Sequence, residues 1–212
     1  MSDTDEIQRL LADALERMDG FVALRSMERL SGGASQETHR LRVAMADGER
    51  SLALRRSVGP VGERRFSGPG LAVEARLMGL ARQAGVPGPE VHMALRPEDR
   101  LGEGFVMEWI DGESLGSRIN RSDDLAAARM GLARECGMAL ARIHAIDVDS
   151  SGLRDALNEV DPADEVRQTW ERYKGFGSPQ PMIDFTARWL LDHLPQESER
   201  ALVHGDFRNG NL

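Results

Sequence analysis

The sequence predicts an α+β fold in two parts, a sheet-rich part over residues 1–110 and a helix-rich part over residues 111–212. Three observations predict it. Short apolar runs separated by turn signals fill the first half, helical periodicity takes over after Ile110, and Asp111-Gly112 breaks the pattern between them. In the first part, Ile7, Leu10, Leu11, Ala14, Leu15 and Met18 recur at helical spacing and predict a leading helix that Asp19-Gly20 stops. Phe21–Leu30 and Thr38–Ala46 read as strands around the small-residue loop Ser31-Gly32-Gly33-Ala34-Ser35. Asp47-Gly48 predicts a tight hairpin turn into a third strand over Arg50–Arg56. A Gly/Pro-rich loop over Val58–Gly70 precedes a helix over Leu71–Ala84. Glu90–Leu95 and Gly104–Ile110 complete five strands.

The second part reads as helices. Ser122 or Asp123 caps a long helix reaching Ile146, with Leu125, Leu132, Cys136, Leu140 and Ile143 as its buried stripe. Pro162–Tyr173 and Pro181–Leu194 follow, Pro162 suiting a first helical turn. Ala201-Leu202-Val203 is a short apolar strand running into His204-Gly205-Asp206.

Composition excludes several classes. With 41% hydrophobic and 29% charged residues the chain is an ordinary globular sequence. It has no apolar run of the roughly 18 residues that a membrane span needs. Met1–Asp5 is polar and acidic and carries no signal-peptide pattern. The single cysteine, Cys136, rules out an internal disulfide, and a reducing, cytoplasmic setting is expected. A net charge of −8 without a basic block argues against nucleic-acid partners. The histidines His39, His92, His144 and His193 share no metal-ligand spacing, and the Gly-x-Ser-x-Gly elbow of many hydrolases does not occur.

The strongest chemical signal is the string His204-Gly205-Asp206-Phe207-Arg208-Asn209-Gly210-Asn211-Leu212, an acid delivered by an apolar segment and followed five residues later by Asn211. The string resembles the catalytic loop of the aminoglycoside phosphotransferase and choline kinase family, relatives of the protein kinases, and in particular a branch associated with acyl-CoA dehydrogenases. The resemblance implies a protein-kinase-like two-lobe fold: an N-terminal nucleotide-binding lobe over 1–110 and a partial helical C-terminal lobe over 111–212. It also implies transfer of the γ-phosphoryl group of ATP, with GTP as the alternative, to a hydroxyl of a small molecule in the presence of Mg²⁺. Asp206 takes the catalytic position, orienting or deprotonating the hydroxyl, and Asn211 the metal position.

Upstream residues fall in the order that the resemblance requires. Gly32, Gly33, Ala34 and Ser35 sit where kinases carry the phosphate-covering loop, although the loop matches neither G-x-G-x-x-G nor a Walker A sequence. Leu52-Ala53-Leu54-Arg55 occupies the strand where protein kinases have Val-Ala-Ile-Lys, which puts Arg55 on the phosphates and makes Arg56 the neighbouring alternative, pointed to the opposite face. Glu74 matches the glutamate that pairs with this cation. Met107 matches a neighbour deep in the base pocket, while Glu108 and Ile110 match main-chain contacts to the purine. The second metal carboxylate of the family does not follow Asn211. Ile183-Asp184-Phe185 looks like that motif but precedes the loop and lies in a helical pattern. The resemblance therefore implies a chain truncated at its C-terminus, inactive in transfer by itself. The other readings are a nucleotide-binding pseudokinase and a regulatory or interaction domain.

Overall fold

The fold is described from a computed structural model covering residues 3–30, 36–57, 69–196, 199–208 and 210–211. Helix α1 (Asp3–Leu15) leads into strands β1 (Phe21–Arg29), β2 (Gln36–Met45) and β3 (Gly48–Ser57). Helix α2 (Leu71–Gln83) then precedes β4 (Val91–Ala94) and β5 (Gly104–Glu108). The five strands form one antiparallel sheet in the order β1-β2-β3-β5-β4. After it come α3 (Gly116–Arg121), α4 (Ala126–His144), α5 (Pro162–Lys174) and α6 (Pro181–Asp192).

Strand alternation gives the sheet two different faces. Leu41 and Val43 of β2, Leu52 and Leu54 of β3 and Val106 of β5 point one way and are buried under Leu11, Ala14 and Leu15 of α1. Removing such side chains from water is the main favourable term in folding, about 25 cal/mol per Å² of apolar surface. Arg17, just beyond α1, anchors the helix: its guanidinium donates to both carboxylate oxygens of Asp99, at 2.5 and 2.7 Å. Phe105 and Met107 point the other way and pack with Leu71 and Ala75 of α2. Gly104 admits no side chain, since a Cβ there would lie 2.5 Å from the Arg55 carbonyl.

Four expectations are corrected. The two residues between β2 and β3 are Ala46 and Asp47, not Asp47 and Gly48, because Met45 faces Gly48 and the Ala46 N–H is tied to the Gly20 carbonyl at 2.7 Å. The long helix starts at Ala126, after α3 and a 3₁₀ turn over Asp123–Leu125, and no side chain caps it. Its expected buried stripe is only partly covered: Ile143 is buried and Leu132 is exposed, with Leu125, Cys136 and Leu140 half-buried. Ala201–Val203 is not a strand, since no strand pairs with it among the described residues and an unpaired segment has no ladder. Helix α5 has Pro162 in its first turn as expected, and Asp161, not among the expected caps, caps it by accepting from the N–H groups of Ala163 and Asp164.

Candidate active site

Two adjacent arginines on β3 go to opposite faces. Arg55 lies opposite Thr38 and Phe105, on the α2 side. Its Nη1 is 3.0 Å from Glu74 Oε1, and its Nε and Nη2 donate to Gln36 Oε1 at 3.0 and 2.7 Å. A guanidinium held on two sides presents its charge in a fixed plane, which suits bidentate binding of phosphate oxygens. Glu74 stands in the first turn of α2. Burial pushes its carboxyl up from the usual range, Arg55 opposes that and Glu103 adds to it. Arg56 lies on the α1 face, its Nε 3.4 Å from Glu37 Oε2. Glu37 also meets Arg29 at 3.0 Å and His39 at 3.9 Å. Burial lowers the pKa of His39; Glu37 raises it, and Arg56 and Arg29 lower it further.

The loop acid and its asparagine are also brought together. Asn211 Nδ2 donates to the Asp206 carbonyl at 3.0 Å and to Asp206 Oδ2 at 2.7 Å. Arg208 Nε lies 3.2 Å from both carboxylate oxygens of Asp206. Gly205 makes the turn before the acid at φ +83°, a conformation that disfavours any side chain. Asp206 and Arg208 are exposed. Among the described residues no hydrogen bond or ion pair links this pair to Arg55 and Glu74.

At the end of β5, Met107 is half-buried against the α2 cluster. The Glu108 N–H is committed to the Glu90 carbonyl at 2.8 Å, and Ile110 is exposed. The loop of Gly32, Gly33, Ala34 and Ser35 lies outside the described residues. Asp184 sits in α6, where its Oδ1 accepts from Trp170 Nε1 at 2.6 Å. That bond gives it a packing role between α5 and α6.

Two residues without a motif join the site. Gln36 holds Arg55, and Arg40, on the same face of β2, lays its guanidinium 4.6 Å from the centre of the Trp109 ring. Strand alternation from Thr38 marks that face, but the partner across β3 depends on the hairpin register.

Residues 26–212 match the phosphotransferase enzyme family (APH). Curated relatives include acyl-CoA dehydrogenase family member 10 of Mus musculus, 30% identical over 94% of this chain and 19% of that protein. Family member 11 of Gallus gallus is 30% identical over 61% of this chain and 17% of that protein. The chain thus spans less than a fifth of the length of these relatives. Among solved structures, a candidate aminoglycoside phosphotransferase from Ralstonia eutropha JMP134 superposes with a TM-score of 0.68 at 22% identity, over 99% of this chain and 60% of that one. With this family match and the kinase-like α+β fold that it shares with that structure, the chain belongs to the phosphotransferase enzyme family.

Proposed function

We propose that this sequence is the nucleotide-binding and catalytic-loop part of a phosphotransferase that moves the γ-phosphoryl group of ATP or GTP to a hydroxyl of a small molecule. The observation that carries the reading is the Arg55–Glu74 pair at 3.0 Å, built from β3 and from α2, which lies on the same face of the sheet as Arg55. A cation so held serves positioning and charge neutralisation, which supply most of the catalysis of phosphoryl transfer. The reading divides the chain into a nucleotide lobe over 1–110 and helical structure over 111–212.

Each residue then has a task. Arg55, held by Glu74 and Gln36, binds the α- and β-phosphates. Met107 and the main chain at Glu108 and Ile110 border the base. Asp206 accepts a hydrogen bond from the acceptor hydroxyl and takes its proton as the oxygen attacks the γ-phosphorus. The bond from that phosphorus to the β–γ bridging oxygen breaks and the nucleoside diphosphate leaves. Arg208 holds the carboxylate in place. Asn211 spends its amide N–H₂ on Asp206, so its Oδ1 is the outward group, an oxygen donor of the kind that Mg²⁺ prefers. Among the described residues no group of three His, Cys, Asp or Glu side chains gathers for a metal. The Asn211 Oδ1, a neutral oxygen donor, suits an ion held jointly with nucleotide phosphates. That ion, when bound, neutralises charge developing on the phosphates. Residues 1–212 by themselves are expected to bind nucleotide weakly and not to transfer.

The test is Asp206→Asn in the complete natural chain carrying this sequence. The expected outcome is a fall in transfer of at least a hundredfold, with nucleotide affinity changed less than about threefold. Turnover close to wild type would remove Asp206 from the chemistry.

A further inference from the structure

The sheet face that carries Arg55 has a second arginine. Arg40 pairs across the hairpin with Ala53, and Ala53 pairs with Met107. Paired residues share a face, so Arg40, Ala53 and Met107 form one row and Thr38, Arg55 and Phe105 the next. The rows are two residues apart along each strand, about 7 Å. Trp109, two residues past Met107, closes the Arg40 end. A nucleotide whose phosphates reach Arg55 thus has its base beside Arg40.

Arg40 is held in orientation but not in charge. Its guanidinium lies 4.6 Å from the Trp109 ring centre, a cation–π contact that restrains the plane. Trp109 is itself tied down, its Nε1 donating to Asp111 Oδ1 at 2.8 Å. Among the described residues its side chain makes one hydrogen bond, Nη2 to Ser51 Oγ, long at 3.4 Å. Its Nε is buried and has no hydrogen-bond partner among the described residues. Among the described residues no carboxylate pairs with it, whereas Arg55 has Glu74 and Arg56 has Glu37.

We infer that Arg40 reads the base and selects a 6-oxopurine, so that the site takes GTP in preference to ATP. This rests on the nucleotide reading above. Guanine presents O6 and N7, two acceptors on one edge, which a guanidinium fork meets with two donors. Adenine presents N7 beside an amino group, which sets donor against donor. Ala53 contributes only a methyl group to the row, so the polar discrimination falls to Arg40.

The experiment measures dissociation constants of GTP, inosine triphosphate and ATP, each with Mg²⁺, on the complete natural chain and on Arg40→Met, Arg40→Lys and Arg55→Ala. Inosine triphosphate keeps O6 and N7 and lacks the 2-amino group, so it isolates the contact. The expected result is GTP and inosine triphosphate each binding at least tenfold tighter than ATP. Arg40→Met removes that margin and leaves ATP within about twofold, and Arg40→Lys, which keeps charge without the fork, also loses most of it. Thermal unfolding of each variant checks that the fold is kept. ATP binding as tightly as GTP overturns the inference. So does an equal loss of all three nucleotides in Arg40→Met, which would place Arg40 on the phosphates or in the packing. In both cases binding that still responds to Arg55→Ala leaves the nucleotide reading standing. If no nucleotide binds, that reading fails and the inference with it.

Discussion

Replacing each of the two neighbouring arginines of β3 by alanine should damage different properties. Arg55 has a side chain 37% exposed and Glu74 one 31% exposed. An ion pair this wet contributes about 0–1 kcal/mol to stability. Arg55→Ala should therefore leave the urea midpoint nearly unchanged. A phosphate held by its charged fork would lose about 1.5–3 kcal/mol, or roughly ten- to a hundredfold in nucleotide affinity. Arg56 is only 13% exposed, and its partner Glu37 10%. Breaking a buried pair costs about 3–5 kcal/mol because the remaining charge is stranded. Arg29 still meets Glu37 at 3.0 Å, so Arg56→Ala should fall below that range, at about 1–3 kcal/mol. Its effect on nucleotide affinity should stay within about twofold. The assays are urea unfolding and nucleotide titration of both variants in the complete natural chain. If Arg56→Ala weakens nucleotide binding as much as Arg55→Ala, or if Arg55→Ala is the more unfolded of the two, the assignment of faces is wrong.

Two further outcomes test the packing. Asp99 is held below the usual carboxylate range, chiefly by its hydrogen bond from Arg17 and against the effect of burial, with the Arg96 N–H also helping. A depressed folded-state pKa gives stability that is present above the unfolded value of about 3.9 and lost as pH falls through the folded one. Asp99→Asn should thus unfold about 1–3 kcal/mol more easily at pH 7, and the gap to wild type should shrink as urea midpoints are taken below about pH 4; a gap independent of pH would exclude the ion pair as its cause. Gly104→Ala should destabilise by at least about 2 kcal/mol, its Cβ meeting the Arg55 carbonyl and the Arg56 Cα. Gly137→Ala in α4 meets nothing within 4 Å and should stabilise by about 0.5–1 kcal/mol. Unfolding midpoints that move in the same direction for both would contradict this account.

Local chemistry made much of the molecule legible. Alternation along Leu52-Ala53-Leu54-Arg55-Arg56 sends the arginines to opposite faces whatever else the chain does, because a strand has a period of two. Helix periodicity marks α1 and Pro162 marks the start of α5, since apolar stripes and first-turn preferences act within one or two turns. The spacing from Asp206 to Asn211 closes a loop small enough for the asparagine to reach back to the acid. Contacts between distant segments decided the rest. The Ala46 N–H bonds Gly20 and moves the hairpin turn by one residue. That moves the pairing across β2 and β3 by two, so Arg40 faces Ala53 rather than Arg55. Glu74 is pushed up by burial that no reading of its own helix shows. Ala201–Val203 has strand-like composition, but a strand exists only where a second strand supplies its ladder, and only the tertiary structure says whether one does.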